Sequence, residues 1–164
     1  MTFDSDVLVI GGGPAGLEAA RVAAVRGHHV ELREAANVLG GQMRLATLAP
    51  ERDEMGEYIE WATAELRHLG VTVRLEAKVT AEDVLSEGWR SVVLATGSRP
   101  AQSGFRRLMP LWKDLAVDGT RVCWARDALQ APDQLGEDVL VRSSVTICYL
   151  VIDSPRLAQP LSLP

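Results

Sequence analysis

Short apolar runs alternate with amphipathic stretches along the first hundred residues of the chain. Four runs rich in β-branched residues are predicted as strands, at residues 6–10, 29–33, 71–75 and 91–95. Three stretches with apolar residues at helical spacing are predicted as helices, at residues 15–27, 51–69 and 81–87, the last with Thr80 as its N-cap. This alternation predicts a doubly wound, mainly parallel α/β sheet, in which the strands at 6–10 and 91–95 are buried on both faces.

The pattern is less regular in the remaining segments. Residues 35–49 and 98–119 are rich in Gly, Ala or Pro and are predicted as loops. Three short elements follow and are predicted as a strand, a helix and the opening of a further strand, at residues 121–124, 125–130 and 137–141. From Arg142 onward regular alternation is lost, apart from one apolar stretch at residues 145–152. The sheet is therefore predicted to be incomplete at the C-terminus.

Between the first strand and the first helix lies the sequence Gly-Gly-Gly-Pro-Ala-Gly, at residues 11–16. It matches the G-x-G-x-x-G pattern in the context that a phosphate-binding turn requires, after a strand and at the start of a helix. Gly11 permits the tight turn, Gly13 lets the backbone approach a pyrophosphate, and Gly16 lets the helix pack closely on the strand. The helix N-terminus offers N–H groups and the positive end of its dipole to the phosphates.

Glu34 stands at the end of the second predicted strand, eighteen residues past Gly16. An acid at this place can accept hydrogen bonds from both ribose hydroxyls and would repel a 2′-phosphate. A glycine-rich turn kept for packing alone is the competing interpretation. The strand, helix, second strand and terminal acid nevertheless occur in the order that a dinucleotide site requires. The pattern therefore predicts an adenine dinucleotide as ligand, and by itself it does not separate FAD from NAD.

Composition and charge narrow the class of protein. The chain has 164 residues, of which 47% are hydrophobic and 24% charged, as in water-soluble globular proteins, and its formal net charge of -5 offers no basic face to nucleic acid. No apolar run approaches the roughly 20 residues needed to cross a bilayer, and the acidic N-terminus is no signal peptide. Cys123 and Cys148 have neither metal-ligand nor disulfide-framework spacing. We expect a cytoplasmic protein without nucleic-acid, membrane or metal partners.

Three motifs together resemble one family of flavoproteins. They are the extended glycine fingerprint over residues 7–34, Leu-Gly-Gly-Gln at residues 39–42, and Val-Leu-Ala-Thr-Gly-Ser-Arg-Pro at residues 93–100. In this order and spacing, residues 1–100 resemble the FAD-binding segment of two-dinucleotide-domain flavoproteins of the pyridine nucleotide-disulfide oxidoreductase type. Within these they look most like the C-terminal half of the 2,4-dienoyl-CoA reductase and trimethylamine dehydrogenase group.

The resemblance implies a Rossmann-like FAD/NAD(P)-binding sheet and a set of cofactor-binding residues. It places the glycine pair before Gln42 along the FAD diphosphate and ribityl chain, and the Ala-Thr-Gly segment against the cofactor. It also places Val79 against the adenine, although a core valine explains this position equally well. The implied cofactor-binding residues are Gly11, Gly13, Pro14, Ala15, Gly16, Glu34, Ala35, Gly41, Gln42, Val79, Ala95, Thr96 and Gly97. No catalytic side chain is assigned.

The resemblance covers residues 5–141 and then stops. Residues 137–141 are similar to the first strand of the family's second nucleotide domain, but no glycine turn or helix follows them. The segment that closes the FAD site against the isoalloxazine ring is also absent from the sequence. We therefore predict an FAD-binding segment at 1–100, a connector at 101–120, the truncated start of a second nucleotide-binding domain at 121–141 and an atypical tail at 142–164.

The resemblance implies an FAD-dependent oxidoreductase, or the flavin-domain fragment of one, that passes electrons between a nicotinamide cofactor and an acceptor through FAD. NAD(P)H would bind only if a complete second domain were supplied elsewhere. A homodimer or a partner subunit is expected to cover the apolar edge near residues 139–152. Two alternatives stay open, a non-catalytic module that holds ADP and an inactive truncated gene product.

Overall fold

The computed structural model describes residues 6–49, 51–99, 121–135, 139–144 and 148–153. Contacts divide the chain into two compact units, Met1–Ser98 and Arg99–Pro164. The predicted connector at residues 101–120 and the part of the predicted tail from residue 154 onward lie outside the described residues. No helix within the described ranges is both long enough and apolar enough to cross a membrane.

The first unit is built on a four-stranded parallel sheet. Its elements in chain order are β1 (Asp6–Ile10), α1 (Pro14–Val25), β2 (His29–Arg33), α2 (Met43–Ala46), α3 (Asp53–His68), β3 (Thr72–Arg74), α4 (Ala81–Glu87) and β4 (Ser91–Leu94). The strands lie in the order β3-β2-β1-β4, and every neighbouring pair is parallel. The predicted α/β fold with a mainly parallel sheet is confirmed.

The hydrophobic core lies between α1, α3 and one face of the sheet. Residues paired across a parallel ladder point to the same side, so Val9 and Leu32 both face these helices. The buried members of the core are Val7, Val9, Leu17, Ala20, Val30, Leu32, Leu39, Ala62, Leu66 and Val71. Leu8 and Glu31 alternate with them, pair with each other and lie on the opposite face, which carries buried charge.

β4 differs from the prediction that the strand at residues 91–95 is buried on both faces. Leu94 is 76% exposed and Val93 is 36% exposed, and β4 contributes no residue to the described core cluster. A parallel strand becomes buried when it has a neighbour at each edge and a layer over each face. Among the described strands β4 pairs with β1 alone, so its apolar side chains remain largely open to water.

Local signals place the helix boundaries of this unit. The Thr80 hydroxyl accepts the Asp83 N–H, and the Asp83 carboxylate accepts the Thr80 N–H at 2.8 Å, so α4 begins with a reciprocal capping box. Gly88 ends α4 with a φ of 72°, a value that glycine adopts without strain. The predicted helix at 81–87 and its cap are confirmed. The segment at 35–49, predicted as a loop, also contains the single helical turn α2.

The second unit contains a small antiparallel sheet. Its described elements are β5 (Arg121–Trp124), α5 (Ala125–Gln130), a 3-10 turn (Pro132–Gln134), β6 (Val139–Ser144) and β7 (Cys148–Asp153). β7 lies between β5 and β6 and is antiparallel to both. β6 includes residues 139–141 of the strand predicted at 137–141 and continues through Ser144, and β7, a strand that was not predicted, includes residues 148–152 of the apolar stretch. The assignment of residues 121–141 to a second nucleotide-binding domain stays a prediction.

Candidate functional site

The turn between β1 and α1 is shaped by glycines that have no room for a side chain. Gly11 has a φ of 109°, and its N–H donates to the Arg33 carbonyl at 2.8 Å. A Cβ atom on Gly11 would overlap the Ala95 carbonyl oxygen, and one on Gly16 would overlap the Gly11 carbonyl oxygen. The backbone of the turn therefore touches β1, α1 and the end of β4 without intervening side chains.

Gly13 is the glycine of this turn that faces open space. A Cβ atom placed on it would meet no described atom within 4 Å. Gly13 is the N-cap of α1, its carbonyl accepts the Leu17 N–H at 2.9 Å, and Pro14 occupies the first turn of the helix. The first N–H groups of a helix lack acceptors within the helix. The open side of Gly13 and the positive end of α1 together suit an anionic group.

The Glu34 carboxylate is held beside this turn by two backbone amides. One of its oxygens accepts the Gly12 N–H at 2.5 Å and the other accepts the Ala36 N–H at 2.8 Å. Each carboxylate oxygen can accept more than one hydrogen bond, so both keep capacity for a further donor. The arrangement fixes an acceptor pair at the end of β2, next to the glycine turn.

The predicted Leu-Gly-Gly-Gln segment lies directly against the glycine turn. The Gly40 N–H donates to the Gly12 carbonyl at 2.7 Å, and a Cβ atom on Gly41 would lie 3.0 Å from the Gly13 Cα atom. Gly40 and Gly41 have φ values of 107° and 51°, which favour glycine. Two sequence motifs separated along the chain are thus neighbours in space.

The Ala-Thr-Gly segment at the end of β4 completes this group of loops. The Ala95 N–H donates to the Ile10 carbonyl at 2.8 Å, which continues the β1–β4 ladder to the glycine turn. Gly97 has a φ of 74°, and the Gln42 side-chain amide donates to the Ser98 carbonyl. The structure therefore brings together three predicted segments, residues 11–16, 39–42 and 95–98, at the carboxyl ends of β1 and β4.

The segment that carries Val79 runs beside the end of β2. The Ala77 N–H donates to the Glu34 carbonyl and the Glu76 N–H to the Ala36 carbonyl, both at 2.9 Å. Val79 is partly exposed, and Ala35 is exposed. The adenine contact assigned to Val79 and the cofactor contact assigned to Ala35 stay predictions.

These residues fit an adenine dinucleotide. Such a ligand needs close backbone approach for its diphosphate and an acceptor for its ribose hydroxyls. The open face of Gly13 offers the first, and the Glu34 carboxylate offers the second. The ligand would lie at the carboxyl ends of parallel strands, where open α/β sheets bind their ligands.

Sequence reasoning missed a charged cluster on the sheet face opposite α1 and α3. We call it the Arg33 cluster, and its members are Glu31, Arg33, Arg74, Glu87 and Trp89. Arg33 donates to Glu31 at 2.6 Å and forms a fork to Glu87 at 2.9 and 2.6 Å, while Arg74 pairs with Glu31 at 2.9 Å. The Trp89 N–H donates to Glu87 at 2.8 Å, and its ring lies 5.8 Å from the Arg33 guanidinium. The only signal in the sequence was the pair of charges at alternate positions of a predicted strand.

Hydrogen bonding perturbs the titration of this cluster. The fork from Arg33, aided by the Trp89 N–H, lowers the pKa of Glu87 from its ordinary 4.5 to about 2. The carboxylates of Glu87 and Glu31 raise the pKa of Arg33. The pair therefore stays ionised over the whole physiological pH range.

Comparison with known proteins gives consistent matches. The sequence profile of the family described as "Pyridine nucleotide-disulphide oxidoreductase" matches residues 5–142. The chain is 40% identical over 140 residues to an N,N-dimethylglycine/sarcosine dehydrogenase of Chromohalobacter salexigens, covering 85% of this chain and 20% of the relative. It is 44% identical over 132 residues to an NADH oxidase of Thermoanaerobacter brockii, covering 80% of this chain and 19% of the relative.

A solved structure shares the fold. The structure of a 2-naphthoyl-CoA reductase in complex with 2-naphthoyl-CoA superimposes with a TM-score of 0.65 at 30% identity, covering 82% of this chain and 19% of that chain. The chain thus spans about one fifth of the length of the relatives it matches. The resemblance predicted from the three motifs is confirmed by these matches.

Proposed function

The chain belongs to the pyridine nucleotide-disulphide oxidoreductase family, and we propose that it forms the FAD-binding part of an FAD-dependent oxidoreductase. It carries the FAD-binding, Rossmann-type fold of that family. The whole enzyme would pass electrons between a nicotinamide cofactor and an acceptor. FAD supplies the two-electron redox chemistry, and the residues of this chain bind and orient it.

One observation carries the proposal: the Glu34 carboxylate is fixed beside the open face of Gly13. Two backbone amides orient this carboxylate, so its remaining lone pairs are available to ribose hydroxyls without reorganisation. Beside it the backbone of Gly13 leaves space for a diphosphate at the positive end of α1. A turn kept for packing alone would need Gly11 and Gly16 but would not need an open Gly13.

The other predicted residues would line the same ligand. Gly11, Gly16 and the adjoining Pro14 and Ala15 form the turn that approaches the diphosphate. Gly41 would follow the diphosphate, Gln42 would lie toward the ribityl chain, and the Ala95, Thr96 and Gly97 segment would approach from the β4 side. Ala35 and Val79 would flank the adenosine.

The nicotinamide, substrate and acceptor sites would come from outside the part of the molecule described here. The relatives that match the chain are about five times its length. Leu94 and Val93 at the edge of β4 expose apolar surface of the kind that packs against a further layer. We propose that those sites are supplied by a complete second domain, by a second copy of the chain or by a partner subunit. We also propose that the protein acts in the cytoplasm.

A non-catalytic ADP-binding module is the second candidate, and the openness of β4 favours it. The residues proposed for the adenosine and diphosphate, Glu34 and Gly13 among them, lie among the described residues, whereas β4 lacks a covering layer there. Such a module would bind ADP as tightly as FAD, because the flavin ring would find no additional contacts.

The test is to titrate the purified chain with ADP and with FAD by calorimetry and to record its visible spectrum. The test variant is Gly13→Ala, whose methyl group enters only the open space. The matched control is Gly56→Ala in α3, whose methyl group would lie at an ordinary 3.7 Å from the Thr47 side chain. We expect ADP binding in the wild type and in Gly56→Ala, and its loss in a folded Gly13→Ala. A yellow protein that binds FAD more tightly than ADP supports the oxidoreductase, and equal affinities support the module. A folded wild-type chain that binds neither nucleotide would refute both.

A further inference from the structure

Arg33 and Glu31, the β2 members of the Arg33 cluster, are more protected from water than an ordinary surface ion pair, whereas the side chain of Glu87 is 36% exposed. The side chains of Arg33 and Glu31 are 14% and 10% exposed, whereas those of Arg21 and Glu18, which form a similar fork on α1, are 27% and 47% exposed. Partial desolvation strengthens the attraction between opposite charges and makes a missing partner costly. The position of Arg33 is therefore more tightly constrained than that of Arg21.

The cluster joins three elements that are far apart in the chain. Arg33 and Glu31 belong to β2, Arg74 ends β3, and Glu87 is the last residue of α4. The fork between Arg33 and Glu87 spans 54 residues of sequence. The Arg33 side chain attaches α4 to the carboxyl end of β2, and the pair between Arg74 and Glu31 attaches β3 to the same strand.

The backbone of Arg33 is part of the candidate site. Its carbonyl accepts the N–H of Gly11, the first glycine of the turn, at 2.8 Å. The next residue is Glu34, whose own N–H donates to the Arg74 carbonyl at 2.9 Å. The peptide that carries the Arg33 side chain therefore connects directly to the glycine turn and to the carboxylate beside it.

We propose that Arg33 is a positioning residue for the ribose-binding carboxylate: by tying β2 to α4, its side chain fixes Glu34 against the Gly12 amide. This inference rests on the proposed function, because it assigns Glu34 to the ribose of an adenine nucleotide. Arg33 lies on the opposite sheet face from Val30 and Leu32 and acts through Glu34. Arg33 is therefore proposed to set the position of the Glu34 carboxylate and not to contact the nucleotide itself.

This role has a measurable signature. A carboxylate that accepts both ribose hydroxyls distinguishes ADP from 2′-deoxy-ADP, and loss of one hydrogen bond to a charged group weakens binding by about tenfold or more. Displacement of Glu34 reduces that discrimination, whereas general loosening of the protein weakens both ligands equally. The dissociation constant of 2′-deoxy-ADP divided by that of ADP therefore reports the position of the carboxylate.

Three variants of the full chain separate positioning from stability. Arg33→Met keeps an unbranched stem but removes the fork, and Glu87→Gln removes the charge of the α4 residue that accepts the fork while leaving the contact between Arg33 and Glu31. Arg21→Met is the matched control, because Arg21 also has a carboxylate partner, at 2.7 and 2.8 Å, and a tryptophan ring at 5.8 Å. Calorimetry with ADP and 2′-deoxy-ADP well below each melting temperature gives the ratio. Amide hydrogen exchange at Gly12 and Ala36 gives a readout without ligand.

We expect the ratio to fall by at least about twofold in Arg33→Met and in Glu87→Gln, as for coupled members of one network, and to stay at the wild-type value in Arg21→Met. Exchange at the Gly12 and Ala36 amides should accelerate in the same two variants. An unchanged ratio with unchanged exchange in a folded Arg33→Met or Glu87→Gln would overturn the positioning role and leave the proposed function intact. Should Arg33→Met fail to fold, Glu87→Gln decides. A wild-type protein that binds neither ligand would contradict the proposed function and this inference with it.

Discussion

The two strands that flank β1 differ in how completely their surroundings are built. β2 has a parallel neighbour at each edge, packs Val30 and Leu32 against the core, and carries the Arg33 cluster on its other face. β4 has one neighbour among the described strands and exposes Leu94 and Val93. Both strands nevertheless end at the same glycine turn, through Glu34 on one side and Ala95 on the other.

The difference divides the candidate site into two halves. On the β2 side two backbone amides hold Glu34, and core packing and ion pairs hold the strand that precedes it, so the half that would hold adenosine is built from described residues. On the β4 side the backbone reaches the turn, but its apolar side chains lack a partner layer among the described residues. If the proposed site holds FAD, recognition of the nucleotide and support of the flavin ring are therefore expected to be separable, and each can be disturbed alone.

The largest expected effect is on the free energy of unfolding, and it compares a buried residue of β2 with an exposed residue of β4. Leu32→Ala on β2 removes a fully buried side chain and should lower the free energy of unfolding by about 2–5 kcal/mol. Leu94→Ala removes the same atoms from the exposed end of β4 and should change it by no more than about 0.5 kcal/mol. Urea unfolding followed by circular dichroism measures both. Comparable losses in the two variants would mean that β4 is covered in solution, by a second copy or by another part of the chain.

The next effect concerns binding. Glu34→Gln removes the charged acceptor on the β2 side and should weaken ADP binding by about ten- to hundredfold. Gln42→Ala removes the contact from Gln42 to Ser98 on the β4 side and should leave ADP affinity nearly unchanged, because ADP carries no ribityl or flavin group. Calorimetric titration of both variants gives the comparison. A large loss of ADP affinity in Gln42→Ala would show that the two halves of the site are coupled.

The sequence predicted the parts of the site that depend on local backbone geometry. Gly11, Gly13 and Gly16 follow one another within a single turn, so their spacing alone carried the information. The neighbourhood of Gly41 and the turn could be predicted only through resemblance to a family, since no local rule brings residues 28 positions apart into contact. The N-cap at Thr80 was predicted because a cap and the helix that it begins are neighbours in sequence, whereas the reciprocal bond from Asp83 was found only in the structure.

Two features could not be predicted for different physical reasons. The Arg33 cluster depends on a contact to Glu87 across 54 residues, and a charged residue in a strand ordinarily indicates a solvent-facing position. The exposure of β4 was mispredicted because apolar composition expresses a preference for burial and does not reveal whether a covering layer exists. Leu94 is an apolar residue of the kind found in buried strands, but it lies in a strand at the edge of the described sheet and is exposed.

The smallest expected effect is a pH dependence of stability, and it arises from the Arg33 cluster on the β2 side. The pKa of Glu87 is lowered in the folded protein from its ordinary 4.5 to about 2, so the unfolded chain binds this proton more readily. The stability contributed by the fork to Arg33 is therefore fully present above about pH 5 and declines as the pH falls from 4.5 toward 2. Urea midpoints measured between pH 7 and pH 3 should fall less steeply for Glu87→Gln than for the wild type. Glu82→Gln removes one charge from the same helix and should follow the wild-type slope. An equal slope in all three proteins would mean that the fork between Arg33 and Glu87 does not hold α4 to β2 in solution, and the advantage of the β2 side would then rest on core packing and strand pairing alone.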